Sequence, residues 1–171
     1  ANGGLMMVVA DDPGLYSSQN EQDNRRFAVA ASVMMLEPSD AQESYDFLFE
    51  AFRLSEKWQL PVLFRMTTRV CHSRGIVRPH APAIPDMDPG FVRDPRAYVM
   101  IPGYARLAHK RMRHKMNEIQ QWNESADLNR IYEGDPSLGI VTSGVSFLHT
   151  REAAPEASVL KLGMTYPLPI E

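Results

Sequence analysis

The constraint on folding comes first from three short apolar runs and the spacing between them. Leu5–Ala10 reads as a strand buried on both faces, and Val62–Met66 as a further strand. Between them, Phe27–Leu36 is long enough for a short turn plus a second strand ending near Glu37-Pro38. Ser39 then caps a helix, with Gln42 three residues on completing a capping box, and the helix runs to about Lys57. Ala41, Tyr45, Leu48, Phe49 and Phe52 fall at helical spacing on the face predicted to pack inward, while Asp46, Glu50, Arg53 and Lys57 face solvent. Strand, helix, strand in that order is a βαβ unit, and such a unit requires a parallel sheet. The expected fold class is therefore α/β, a parallel sheet flanked by helices.

Beyond the third strand the chain changes character. Pro79, Pro82, Pro85, Pro89, Pro95 and Pro102 interrupt a stretch that cannot sustain a helix. Ile84, Met87, Phe91, Tyr98, Val99 and Met100 make the same stretch too apolar for a free tether, so it is expected to wrap across a surface. Residues 103–125 predict a helix whose apolar stripe is Tyr104, Ala108, Met112, Met116, Ile119 and Trp122. After Gly134-Asp135-Pro136 a second strand–helix–strand pattern begins, with Leu138–Val141, Val145–Ala154 and Ser158–Leu162. The expected organisation is a first unit over 1–78, a Pro-rich linker over 79–102, a linking helix over 103–137 and the opening of a second α/β unit over 138–171.

Composition narrows the function classes. The 171 residues are 44% apolar and 23% charged, with a net charge of −3, so there is no global footprint for nucleic acid or an anionic membrane. No apolar run has the length of a membrane span, and a cytoplasmic location is the default expectation. The one cysteine, Cys71, allows neither an internal disulfide nor a multi-cysteine metal or iron–sulfur centre. His109 and His114 are five apart and do not share a helical face, so no metal site is expected within this chain. Arg106, Lys110, Arg111, Arg113 and Lys115 make one basic helix, read as a solvated or packing face. Thr142-Ser143-Gly144 lies at a strand–helix junction, where Ser143 is expected to serve as an ordinary helix cap. Both ends of the chain lie close to strand-like runs, so it is read as a fragment of a longer protein, with an exposed sheet edge that makes it self-associate.

Two polar segments carry the chemistry. Asp11–Arg26 follows the first strand and is dense in carboxylates, hydroxyls, amides and guanidinium groups; Thr67–Arg74 follows the third. Ligands of open α/β sheets bind outside the carboxyl ends of the strands, and both segments emerge there. Arg25, Arg69 and Arg74 can clamp a carboxylate or phosphate, His72 can move a proton near neutral pH, and Ser17, Ser18, Gln19 and Asn20 offer uncharged hydrogen bonds.

The strings VVADDPGLYSSQNEQDNRRFA, LEPSDAQESYDFLFEAFRLSEKWQLPVLFRMTTRVCHSRG, DPSLGIVTSGVSFLHTREA and ASVLKLGMTYPLPIE closely resemble the alpha subunits of indolepyruvate ferredoxin oxidoreductases. These are thiamine-diphosphate-dependent 2-oxoacid:ferredoxin oxidoreductases. The resemblance covers nearly the whole chain, with the Pro-rich middle the loosest part. It implies an enzyme that oxidatively decarboxylates aryl 2-oxo acids, passing the acyl group to coenzyme A and electrons to ferredoxin. The implied cofactors are thiamine diphosphate with magnesium, and iron–sulfur clusters. The implied partners are the rest of the alpha subunit, a beta subunit, ferredoxin, coenzyme A and the aryl 2-oxo acid.

By the same resemblance, residues 1 to about 75 correspond to the later half of the pyrimidine-binding domain, and 138–171 to the opening of a transketolase-C-like domain. The glutamate that activates the cofactor's aminopyrimidine lies upstream in such enzymes, and the diphosphate-binding and cysteine-rich modules lie downstream. The isolated chain is therefore expected to be inactive and to bind no cofactor tightly. Related pyruvate enzymes place a substrate-binding arginine where this chain has Asp11. Arg25 and Arg69 are the expected replacements, with Asp11, Asp12, Ser17, Ser18, Gln19, Asn20 and His72 close to substrate or cofactor. The rival expectation is a non-catalytic α/β interaction module, which fold alone does not separate from the enzyme.

Overall fold

In the computed structural model, which describes residues 3–81, 90 and 93–170, the first sheet is built as the βαβ pattern requires. β1 (Met6–Asp11), β2 (Met34–Leu36) and β3 (Val62–Thr67) run parallel, with β3 in the middle of the three. α2 (Ala41–Trp58) connects β2 to β3. Asp40, not Ser39, is its N-cap and accepts from the Glu43 amide at 2.8 Å. Glu43 reaches back to the Ser39 amide and hydroxyl, so the box is shifted by one residue and Gln42 takes no part in it. Gln42 instead bonds the backbone of Arg78.

Several local expectations are corrected. β1 is not buried on both faces: it is an edge strand with β3 as its neighbour, and Met7 and Val8 are 51% and 58% exposed. Phe27–Leu36 does not begin with a turn; Arg25–Ala31 is a helix (α1), and its Ala28 packs on Met35 and Leu63 of the sheet. Short apolar runs do not distinguish helix from strand by pattern alone, and the alanines here favour helix. The inward face of α2 is Phe47, Ala51 and Leu54, whereas Leu48 and Phe52 are exposed. The helix is apolar on two sides. Its second side, Tyr45 and Phe49, receives the extended chain at His80, whose ring lies 5.1 Å from both aromatic centroids.

Residues 78–81, where the Pro-rich stretch begins, thus run across α2, while residues 82–89 and 91–92, which include Ile84, Met87 and Phe91, lie outside the described residues. The polar segment directly after β3 begins with a short helix, Thr68–His72 (α3). Pro95–Tyr98 forms one further helical turn (α4), with Pro95 at the first position where its missing N–H is harmless. α5 (Pro102–Asn123) buries Met116 and Ile119 from its predicted stripe.

β4 (Arg130–Tyr132), β5 (Asp135–Ser143), α6 (Gly144–Ala153) and β6 (Ala157–Leu162) build a second sheet in the order β4-β6-β5. β7 (Met164–Tyr166) then returns to the first sheet and pairs antiparallel with β2. Strands β4 and β7 are too short to show a pattern in the sequence. The principal core joins α2, α5 and the first sheet through Met34, Leu36, Phe47, Leu54, Val62, Phe64, Met116, Ile119 and Met164. Each large apolar side chain buried there contributes about 1.5–3 kcal/mol. Among the described residues no helix is long and apolar enough to cross a membrane.

Candidate functional site at the carboxyl edge of the first sheet

Alternation along β3 places Leu63, Arg65 and Thr67 on the side covered by α1. Leu63 is core there, but Arg65 is a guanidinium 3% exposed in the middle of a sheet. Such a charge is tolerable only when paired. Its Nε donates to Asp11 Oδ2 at 2.5 Å, its Nη1 to Glu37 Oε1 at 2.5 Å, and Asp23 stands 3.8 Å from Nη2. The three carboxylates come from the end of β1, the residue after β2 and the turn before α1. Arg65 thus ties together the chain ends that form the edge.

The two consecutive carboxylates after β1 organise the segment that follows. Asp11 accepts the backbone amide of Asn24 at 2.8 Å and also its side-chain amide, which fixes the return of the segment at α1. Asp12 Oδ2 accepts the amides of Ser17 and Ser18 at 2.7 Å and the Ser18 hydroxyl at 2.8 Å, while Oδ1 accepts from Thr68 at 2.7 Å. The Thr68 hydroxyl, followed by the serine amides, holds the Asp12 carboxyl well below the ordinary carboxylate range. Asp23 is pulled down to about 2, first by the Arg25 side chain, whose Nε and Nη2 each lie 2.8 Å from one of its oxygens. Glu37 moves the other way: burial raises it, against the pull of Arg65, and its Oε2 is buried with no hydrogen-bond partner among the described residues.

The sequence-predicted residues therefore separate into two groups. Asp11 and Asp12 are buried and hold the loop, with their oxygens turned to protein donors. Ser17 and Ser18 serve the same turn, and Arg25 is engaged by Asp23. Gln19, Asn20, Arg69 and His72 are exposed. Between Asp12 and Ser17, Gly14 and Leu15 both take left-handed backbone angles, φ 84° and 61°. Tyr16 projects outward, 65% exposed, and Arg69 of α3 lies over its ring at 5.1 Å from the centroid.

Sequence reasoning missed Arg65, Glu37 and Tyr16. A charged residue inside an otherwise apolar strand was the available signal for Arg65, because it demands acidic partners nearby. A second buried pair was missed in the same way. Lys161 of β6 is fully buried and bonds Glu43 of α2, over the rings of Phe47 and Phe147. Burial opposes ionisation of Glu43, but Lys161 and Ser39 outweigh it and leave the carboxyl below its ordinary range.

Ser143 stands at the N-cap position of α6 as expected, yet its hydroxyl makes no cap bond. Left-handed Gly144 (φ 52°) intervenes, and a Cβ there would sit 2.5 Å from Glu37 Oε1. Only a glycine lets the second unit approach the edge this closely. No three His, Cys, Asp or Glu residues converge as a metal-ligand set among the described residues. A cavity of about 550 Å³ lined by Leu60, Met100, Ala108 and Met112 lies by the amino end of β3, away from the edge where ligands of such sheets bind.

Comparison with known proteins agrees with this architecture. Residues 9–129 match the family described as pyruvate flavodoxin/ferredoxin oxidoreductase, thiamine diphosphate-binding. Proteins named indolepyruvate oxidoreductase subunit IorA are 44% identical in Methanothermobacter thermautotrophicus, over 97% of this chain, and 39% identical in Archaeoglobus fulgidus, over 99%. In Pyrococcus abyssi the identity is 38% over 98% of the chain. The chain spans 28% of the length of each of these relatives. A solved 2-oxoglutarate:ferredoxin oxidoreductase from Magnetococcus marinus, with 2-oxoglutarate, coenzyme A and succinyl-CoA bound, shares the fold. It has a TM-score of 0.58 at 13% identity, over 96% of this chain and 38% of that one.

Proposed function

The chain belongs to the thiamine-diphosphate-binding family of pyruvate flavodoxin/ferredoxin oxidoreductases, and from that premise we propose that it is part of a subunit that oxidatively decarboxylates aryl 2-oxo acids such as indolepyruvate. In the proposed reaction the bond between the carboxyl and oxo carbons breaks and carbon dioxide leaves. The acyl carbon bonds to the sulfur of coenzyme A as the thiol S–H bond breaks and its proton is released, and two electrons pass to oxidised ferredoxin. The observation that carries this reading is similarity to indolepyruvate oxidoreductase subunits along almost the whole chain. Thiamine diphosphate supplies the electron sink when bound. The residues described here do not fit its metal end, since no ligand set converges. Magnesium and the iron–sulfur clusters are assigned to the remainder of the subunit and its partners, and the assembly to the cytoplasm.

The work of this chain is positional. Arg65, Asp11 and Asp12 fix residues 12–24 against α3, giving one wall of a substrate pocket with little freedom to collapse. The edge of β1 offers backbone groups that pair with no strand among the described residues, and the exposed side chains of Met7 and Val8. In isolation the chain self-associates through that edge, and sedimentation at increasing concentration tests this.

The functional test uses the full-length protein with its partner subunit, thiamine diphosphate, magnesium, coenzyme A and oxidised ferredoxin. Ferredoxin reduction that requires both indolepyruvate and coenzyme A is the expected result, and the 171-residue chain alone gives none. If no aryl 2-oxo acid supports reduction by the full assembly, the reading fails and the interaction-module alternative stands.

A further inference from the structure

We infer that Arg69 and Tyr16 form the pair that selects aryl 2-oxo acids, Arg69 taking the carboxylate and Tyr16 the ring. The inference rests on the functional reading above and names the groups responsible. The arginines at this edge are not equivalent. Arg65 is buried and held by Asp11 and Glu37, with Asp23 close by. Arg25 is engaged by both oxygens of Asp23. Arg69 is exposed, and among the described residues no carboxylate pairs with it. Its guanidinium is held instead by Tyr16, lying over the ring and donating from Nη2 to the hydroxyl at 3.3 Å. That arrangement orients the guanidinium without neutralising it.

Tyr16 is itself fixed from below. The Asp12 carboxylate binds the two amides that follow it, and the left-handed Gly14 and Leu15 turn the loop tip outward. Leu15 and Tyr16 thereby present an exposed apolar surface beside a cation, on a loop whose base is buried and hydrogen-bonded. An arylpyruvate carries one carboxylate and one flat ring, separated by the oxo carbon and a methylene. A guanidinium accepts such a carboxylate through two parallel N–H donors, and a neighbouring phenol ring accepts the aryl group edge-on or offset-stacked. An aliphatic 2-oxo acid retains the first contact and forfeits the second. The two contributions are therefore separable by experiment.

The test uses the full-length protein with its partner subunit. Binding is read by calorimetry with indole-3-lactate and 2-hydroxyisocaproate, which keep the carboxylate but lack the oxo group. Turnover is read with indolepyruvate and 4-methyl-2-oxopentanoate. Arg69→Gln is expected to weaken both hydroxy acids by roughly 10- to 100-fold and to raise both KM values alike, the loss of one charge-assisted clamp. Tyr16→Leu is expected to weaken indole-3-lactate by about 3- to 10-fold while leaving 2-hydroxyisocaproate in place, with Tyr16→Phe keeping the aryl preference. Both side chains are exposed, and unchanged melting temperatures verify that the variants fold. Arg69→Gln with unaltered affinities, or Tyr16→Leu weakening both ligands equally, would overturn the assignment. A wild-type protein that oxidises no aryl acid would overturn the underlying reading instead.

Discussion

Replacing Lys161 with Met should cost this chain about 3 kcal/mol, the lower end of the range for breaking a buried ion pair. The ammonium is fully buried, and it joins β6 of the second sheet to α2 of the first across 118 positions of sequence. Its removal leaves Glu43 buried with two remaining donors, the Ser39 amide at 2.9 Å and hydroxyl at 2.7 Å. Those donors, and the option of protonation, are why the estimate sits at the low end. For a domain of this size, 3 kcal/mol corresponds to a fall of about 6–12 °C in melting temperature. Pairing Lys161→Met with Glu43→Leu removes both charges, and should restore much of the loss because an apolar pair carries no desolvation cost.

The acid limb gives an independent signature. The folded-state pKa of Glu43 lies below its unfolded value. The pair's contribution is therefore present above about pH 4.3, the unfolded value, and fades as pH falls through the lower folded value. Urea unfolding of wild type, both single variants and the double variant between pH 3 and 7, about the range of carboxylate titration, measures the coupling. A Lys161→Met cost below about 1 kcal/mol, the value of a surface pair, would refute the view that this contact fastens the two sheets.

Further outcomes follow from the edge. Glu37 has its folded pKa raised, so its ionisation destabilises the fold progressively as pH rises from the unfolded value toward the folded one; Glu37→Gln should abolish that decline in urea titrations. Gly144→Ala should lower stability by at least about 1–2 kcal/mol from the left-handed backbone alone, with crowding against Glu37 Oε1 in addition, and calorimetric melting will show it. Asp12→Ala should remove hydrogen-exchange protection at the Ser17 and Ser18 amides while leaving that of β3 intact. Because the Asp12 carboxyl is held low, protection of those amides in wild type should persist on acidification to well below about pH 3.9, the free Asp value.

The βαβ core was legible because its signals are local, apolar runs of strand length and a helical period, although the cap was read one residue early, at Ser39 and not Asp40. The exposure of β1 was not, since whether Met7 and Val8 are covered depends on what lies beside the strand and not on the strand itself. The helix at Arg25–Ala31 hid in an apolar run that either period could explain. α2 misled through surplus, because two apolar faces compete and the sequence does not say which neighbour takes which. At the site, the polar segment after β1 was visible, but its density concealed a division of labour. Asp11 and Asp12 read as groups close to the ligand, and the structure gives their donors as Asn24, Ser17, Ser18 and Thr68. Arg65 and Lys161 were legible in principle, as cations in apolar strands whose partners had to exist somewhere.

The return of the last strand to the first sheet has a consequence for how the molecule comes into being. β2 gains its second neighbour only when Tyr166 and Met164 reach Met35 and Leu36. During synthesis from the amino end, α2 and β3 can dock early, but one margin of their sheet stays bare until residues 164–166 have emerged. Loop-closure entropy for so distant a contact must be met before the contact repays it, which slows the step and prolongs the exposure of a sticky margin. Stalling translation before 164 should leave a nascent chain that recruits chaperones, whereas a stall that lets 164–166 reach β2 should not.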